Sequence, residues 1–437
     1  MTFELQCHEV KVAMIQSFFF AGFLIGAATI SRLTDIYGRV FTMWWCTILA
    51  QIGVLLSIFA GGYWTYTIGR IALGFSHGGA GVANFVYQSE FLGKVHRTKL
   101  IVTSNGWFSL GVLLTSVLAF FVRDWRWLIA LPSIGGAVML IPFYNPPESP
   151  IWLTSQGRTS EAREVLCQIA ERNSCQPPPE IIEAAIDKEQ SDEQQVVDSS
   201  IPQKDDLRSP PQRAHLKAVL IGWFCASFGY YGISMNAGNL GNLYMASFFS
   251  SAIELPSYIF IVWAFDNIGR KKPTVYCFAL AGVFCILSGL FNPGTIQIIV
   301  ASLGKFFVSA VFGAIYLYTG EVFITKFRTT AMGYSSLSAR IGGILAPQLI
   351  ALGPKQLVMP IFGCSFFLAA FGCLSLPETL GKALPETVND LNKAHETTGP
   401  IFEFLRGYMR MSDENNNVVS NGLDLPMDSA TRDSSGR

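Results

Sequence analysis

The pentapeptide Asp35-Ile36-Tyr37-Gly38-Arg39 recurs as Asp266-Asn267-Ile268-Gly269-Arg270, and the rest of the chain can be placed around that repeat. Further along, Tyr87-x-x-Glu90 followed by Arg97-Thr98 recurs as Tyr318-x-x-Glu321 followed by Arg328-Thr329. One offset of 231 residues carries 35 to 266, 38 to 269, 39 to 270, 87 to 318, 90 to 321, 97 to 328 and 98 to 329. Seven identities on one register mark an internal duplication, which has to be recognised before any single motif is interpreted.

The material between the repeats is apolar. Of 437 residues, 50% are hydrophobic and only 14% charged. Soluble proteins carry roughly a quarter charged residues, so this is the composition of a polytopic membrane protein. The 31 basic and 31 acidic residues balance, which excludes a basic nucleic-acid binder. Nine cysteines, mostly inside apolar runs, form no metal or disulfide framework. Eleven runs approach the spanning length of about 20 residues. They cover 12–31, 40–60, 64–92, 101–122, 126–145, 216–236, 243–265, 274–291, 296–322, 330–352 and 357–376.

Orientation follows from the short connections. Those around 31–40, 93–100, 266–273 and 323–329 hold ten cations, against three in the alternate set. The first set is therefore cytoplasmic, with the N-terminus outside and the C-terminus inside. The expected organisation is an all-α fold of two six-helix repeats. An N-terminal bundle (1–145) and a C-terminal bundle (216–376) flank a polar cytoplasmic loop (146–215), and a cytoplasmic tail (377–437) follows. The loop opens with short helices, then turns too polar to fold alone. The partner of 216–236 on the 231-residue register falls before residue 1, so the first repeat is expected to lack its opening helix. Paired repeats of this kind place a substrate site at mid-membrane between the halves.

The repeated charges have a physical rationale. Asp and Arg four apart at a helix end can pair, and Gly in the turn lets two helices approach. Asp35, Gly38, Arg39, Glu90 and Arg97 in one half, with Asp266, Gly269, Arg270, Glu321 and Arg328 in the other, line the two cytoplasmic mouths. They are expected to gate the passage by latching one conformation, the outward-open one. The alternative is that they only fix topology and cap helix ends.

These residues resemble the major facilitator superfamily, and within it the organic cation/carnitine/anion transporter family (solute carrier family 22). Both pentapeptides match the superfamily's cytoplasmic loop motif, with Ser31 and Val40 as departures. Narrower matches are Arg123-Asp124-Trp125-Arg126, Glu148-Ser149-Pro150-Ile151-Trp152-Leu153, Leu376-Pro377-Glu378-Thr379 and Glu254-Leu255-Pro256. The resemblance adds Glu148 and Glu378 to the gating set, covers about residues 3–393, and implies a first helix and large outer loop ahead of this point. Ile151 stands where that family usually has Arg.

Ionisable groups inside spans are functional hypotheses by default. Away from the loop motifs these are Arg70, His77, Glu254, Lys305 and Arg340. Arg70 and Lys305 are expected near the outer ends of their spans, snorkelling to water, and His77 is expected to pack beside Gly78 and Gly79, the alternative being a ligand or proton relay. Glu254 and Arg340 fall deeper. Either they hold a substrate bearing both ammonium and carboxylate, or they satisfy each other. Trp223 and Tyr230, seven apart, share a helix face with Tyr231 adjacent, and aromatic faces attract quaternary ammonium groups.

By the same resemblance, an acidic residue stands at the Arg340 position in cation carriers and Arg in carnitine and anion carriers. It also implies that Tyr258 is of the carnitine type and that Phe85 is a pocket aromatic. The expected function is alternating-access transport of a small organic cation or zwitterion across the plasma membrane. The alternatives are an organic anion carrier or a truncated non-transporting form. No cofactor is implied, the partners are the substrate and the bilayer, and facilitated diffusion or Na⁺ or H⁺ coupling stay open. No nucleophile elbow or phosphate loop is present, so catalysis is not expected.

Overall fold

The computed structural model describes residues 9–91, 97–138, 140, 146–173, 210–323 and 325–381. Among them lie fourteen α-helices and no strand. The first group is α1 (Glu9–Tyr37), α2 (Arg39–Ile58), α3 (Tyr63–Phe91), α4 (Arg97–Phe121) and α5 (Trp125–Val138). The short pair α6 (Pro150–Ser155) and α7 (Thr159–Arg172) follows. The second group is α8 (Pro210–Met235), α9 (Leu243–Ala252), α10 (Glu254–Asn267), α11 (Lys271–Leu290), α12 (Thr295–Val322), α13 (Thr325–Leu352) and α14 (Lys355–Cys373).

Eight described stretches are long and apolar enough to cross a membrane, with α9 and α10 counted as one. Of the eleven expected runs, 64–92 and 330–352 form helices of 29 and 28 residues that are long enough but more polar. Run 126–145 is helical over Trp125–Val138, and part of its remainder lies outside the described residues. Run 243–265 is broken at Ile253, between α9 and α10. Pro256 explains the break: it has no N–H to offer the Ala252 carbonyl, so the helix restarts with Pro in its first turn. Large apolar side chains such as Phe59, Trp64, Phe121, Ile259 and Leu290 stay exposed, as lipid-facing residues do.

The duplication holds in three dimensions. Shifted by 231, α2 falls on α11, α3 on α12, α4 on α13 and α5 on α14, while α1 falls on α9 plus α10. Within the first group α3 packs against α1 and α2, and in the second α12 packs against α11 and α10. The α1–α3 approach is closer than any side chain permits. A Cβ added to Gly26 would lie 2.0 Å from the Phe75 carbonyl oxygen, and one on Gly74 would lie 2.0 Å from that of Phe19. Small residues that bring helix backbones together supply the packing that a bilayer does not drive by hydrophobicity.

The two groups meet along two related seams, α1 against α13 and α4 against α9 and α10. At the first seam the Ser17 hydroxyl donates to the Ile344 carbonyl at 2.8 Å, and Gln348 donates to Ser17 at 2.9 Å. The Phe20 ring lies 4.6 Å from that of Tyr231 and against Gly343. At the second seam, Ser116 and Ser251 share a 3.2 Å hydrogen bond, and the Phe120 ring meets Tyr244 edge-on at 6.0 Å. Ser17, Phe20, Ser116, Tyr231, Gly343, Ile344 and Gln348 sit in the halves of their helices remote from Asp35 and Asp266, and Tyr244 and Ser251 lie on α9, the piece of the broken span that precedes α10 and Asp266. Among the described residues, none of these bonds joins the groups at the Asp35 and Asp266 end.

Candidate functional site: two charged brackets and a buried polar cluster between the bundles

At the end marked by Asp35 and Asp266, Gly38 has a φ of +99° and Gly269 of +115°, backbone that L side chains rarely adopt. The turn also leaves room for a carboxylate. A Cβ on Gly38 would meet Glu148 Oε2 at 2.5 Å, and one on Gly269 would meet Glu378 Oε2 at 2.5 Å. Each carboxylate caps the helix that follows. Arg39 and Val40 backbone N–H groups donate to Glu148 Oε1 and Oε2 at 3.1 and 3.0 Å. Those of Arg270 and Lys271 donate to Glu378 at 2.7 and 3.1 Å. The negative charge thereby sits on the positive end of α2 or α11. Burial works against the charge on Glu378, but donation from Arg270, Leu380, Lys271 and Thr379 holds its carboxyl below the usual range.

The arginines complete each bracket. Arg39 pairs with Glu90 at 2.9 Å and with Asp35 at 3.3 Å. Arg270 pairs with Glu321 at 3.3 Å and with Asp266 at 3.7 Å. Tyr87 donates to the Pro147 carbonyl at 2.8 Å, and Tyr318 to that of Pro377 at 2.7 Å. The Trp152 indole N–H donates to the Asp35 carbonyl at 2.8 Å, tying α6 to the first bracket. None of these bonds crosses from one bundle to the other. Arg328 is half-buried near Gly320, and the Arg97 side chain lies outside the described residues.

Between the bundles, Glu254 is 2% exposed at the start of α10. It accepts hydrogen bonds from Ser109 of α4 at 2.6 Å and Tyr230 of α8 at 3.0 Å. Its counter-ion is Lys305 of α12, at 3.2 Å. Lys305 is 0% exposed, which corrects the expectation that it snorkels to water. Its ammonium bonds the Tyr230 carbonyl at 3.0 Å and the Ser234 hydroxyl, and sits 3.3 Å from the centre of the Tyr230 ring. Helix depth alone suggested snorkelling. The face on which Lys305 emerges points inward, and the carboxylate compensates the cost of burial.

Glu254 and Arg340 therefore do not satisfy each other. The Arg340 guanidinium stacks over Phe23 of the opposite bundle, 3.9 Å from the ring centre. Its Nε is buried with no hydrogen-bond partner among the described residues. Tyr231, half-buried, lies within electrostatic reach of both Arg340 and Glu254. Trp223 and Tyr230 do share a face, but it points into the second bundle. Trp223 is 0% exposed and donates its indole N–H to Thr319 at 2.9 Å, as buried polar handles require. Tyr258 is buried and touches Gly313, whereas Phe85 is exposed on α3. Arg70 is half-buried, 3.5 Å from Gln16. His77 is exposed rather than packed, bonded at 2.8 Å to the Leu73 carbonyl of its own helix. Lys305 and Ser109 are the members of this cluster that pattern reading missed. Lys305 carried a signal, an ionisable group in a span, and Ser109 carried none.

A family described as sugar (and other) transporter matches residues 4–391. The organic cation transporter protein of Drosophila melanogaster is 33% identical over 388 residues, covering 86% of this chain and 71% of the relative. Human solute carrier family 22 member 13 is 30% identical over 391 residues, covering 88% and 70%. The chain belongs to solute carrier family 22, within the major facilitator superfamily. The organic cation/carnitine transporter 4 of Arabidopsis thaliana is also similar, 30% identical over 398 residues, covering 88% of this chain and 75% of the relative. Among solved structures, the inward-open xylose transporter XylE of E. coli aligns with a TM-score of 0.72 at 18% identity, covering 89% and 90% of the two chains. XylE bound to 6-bromo-6-deoxy-D-glucose gives 0.64 at 19% identity, covering 87% and 89%. That likeness shows the superfamily fold. As a solute carrier family 22 protein, the chain is an integral, multi-pass membrane protein with the architecture of a transporter.

Proposed function

We propose that this protein carries a small organic zwitterion, one bearing both a carboxylate and a cationic nitrogen, across the plasma membrane by alternating access. The observation that supports this most is the charge balance between the bundles. Glu254 is neutralised by Lys305 at 3.2 Å, whereas Arg340 has an unused buried donor and an aromatic neighbour in place of an acid. A guanidinium with free donors suits a substrate carboxylate. Phe20, Tyr231, Phe312 and Tyr316 form a ring-rich wall near it, the setting in which a quaternary ammonium binds by its attraction to aromatic faces.

The names of the relatives, organic cation and organic cation/carnitine transporters, agree with a substrate of this kind. The seams away from the cytoplasmic end support a closed outer face, and the two brackets act as rigid joints that let each bundle rock as a unit. Uptake of labelled carnitine, tetraethylammonium and p-aminohippurate tests the reading. Carnitine uptake is expected. Transport of p-aminohippurate alone would make the protein an organic anion carrier, the second reading that Arg340 favours. Transport of tetraethylammonium alone would refute the zwitterion assignment.

A further inference from the structure

We propose that Lys305 sets the charge preference of the passage: by cancelling Glu254 it denies a cationic site to substrates, and removing its ammonium turns the carrier toward permanent cations. The inference rests on the zwitterion reading above and assigns a specificity role to a residue that touches no substrate.

Three observations carry it. First, Glu254 lies on the dividing surface between the bundles. One of its hydrogen bonds comes from Ser109 of the opposite bundle, at 2.6 Å, so separation of the outer ends must break that bond and turn the carboxylate toward the opened cleft. Second, Lys305 stays behind it. The lysine is 0% exposed and its other partners, the Tyr230 carbonyl and Ser234, belong to the second bundle, so it moves with Glu254. Third, Arg340 meets no acid among the described residues.

The opened cleft of the native protein therefore presents a neutral pair and one guanidinium, a net positive field that disfavours tetraethylammonium and favours a carboxylate. Without the Lys305 ammonium, Glu254 is a bare carboxylate beside Tyr230 and Tyr231, and Arg340 no longer dominates. Charge selectivity of this kind works by repulsion as much as by attraction.

The test compares uptake of carnitine and tetraethylammonium, normalised to cell-surface protein, for the full chain and four variants. Lys305→Met should raise the ratio of tetraethylammonium to carnitine uptake by about tenfold, the scale of a single altered charge contact. Lys305→Arg should restore the native ratio. Glu254→Gln combined with Lys305→Met should also return toward it, because no carboxylate is freed. Glu254→Gln alone leaves the lysine uncompensated, so inhibition of carnitine uptake by tetraethylammonium should weaken. That variant keeps the inference testable if Lys305→Met does not reach the membrane. An unchanged ratio in Lys305→Met, a cation gain that persists in the double variant, or unaltered inhibition in Glu254→Gln would overturn the role of Lys305. Failure of the native protein to take up carnitine would instead strike the zwitterion reading itself.

Discussion

The Ser109 hydroxyl of α4 lies 2.6 Å from the Glu254 carboxylate of α10, so one charge-assisted hydrogen bond ties the two bundles at the centre of their second seam. Bonds to ionised groups contribute about 1.5–3 kcal/mol. Ser109→Ala should shift the population toward the outward-open state by about tenfold or more, at 1.4 kcal/mol per decade. A pair of cysteines introduced at Ser17 and Gln348, in a background without accessible native thiols, reports this. Their cross-linking should be slower in the Ser109→Ala protein, and an unchanged rate would show that the bond bears no part of the closure.

The same cysteine pair locks the first seam. Ser17 Oγ and Gln348 Nε2 are 2.9 Å apart across α1 and α13. Bridging the positions with a short thiol-reactive linker should abolish uptake, and a reducible linker should restore it on reduction. Continued transport by fully bridged protein would mean that this seam does not open during the cycle.

Gly38 and Gly269 each combine positive φ with a carboxylate docked where a side chain would begin. Gly269→Ala should displace Glu378 from the start of α11 and lower the melting temperature, with the helix-end charge contributing roughly 1 kcal/mol. The pH dependence has a definite sign. The folded carboxyl of Glu378 lies below its ordinary value of 4.5. Its contribution is thus complete above that value and is lost as the pH falls through the lowered folded one. Melting measured from pH 6 downward should fall less steeply in Glu378→Gln than in the native protein. Parallel curves would exclude the cap.

Gly26→Ala and Gly74→Ala place a methyl group 2.0 Å from a backbone carbonyl oxygen of the facing helix. Overpacking of this kind costs about 1–3 kcal/mol. Both variants should melt earlier in detergent, whereas Gly81→Ala, which meets nothing within 4 Å, should not. Equal melting of all three would contradict the α1–α3 contact.

Much of this arrangement was legible in the sequence because its determinants are local. Asp35, Gly38 and Arg39 act within five residues of one another, and their copies at 266, 269 and 270 do the same, so the motif carries its own geometry. Glu90 and Glu321 joined that reading through the shared register. The cluster around Glu254 was less legible. Its four members, Ser109, Tyr230, Glu254 and Lys305, come from α4, α8, α10 and α12, and no periodicity in one helix reports the face of another. Spacing put Trp223 and Tyr230 on one side of α8, but not the direction of that side, which turned out to be the interior of the second bundle. Depth along α12 suggested an outer, wetted Lys305, whereas packing made it the counter-ion of Glu254.

The central claim is that two bundles alternate around a site that binds a carboxylate at Arg340. Counterflow in proteoliposomes tests it most directly: vesicles preloaded with unlabelled carnitine are presented with the labelled compound. The account predicts that preloading accelerates uptake in the native protein, that Arg340→Lys retains part of the effect, and that Arg340→Glu abolishes it. Uptake indifferent to internal carnitine, or equal counterflow in Arg340→Glu, would contradict it.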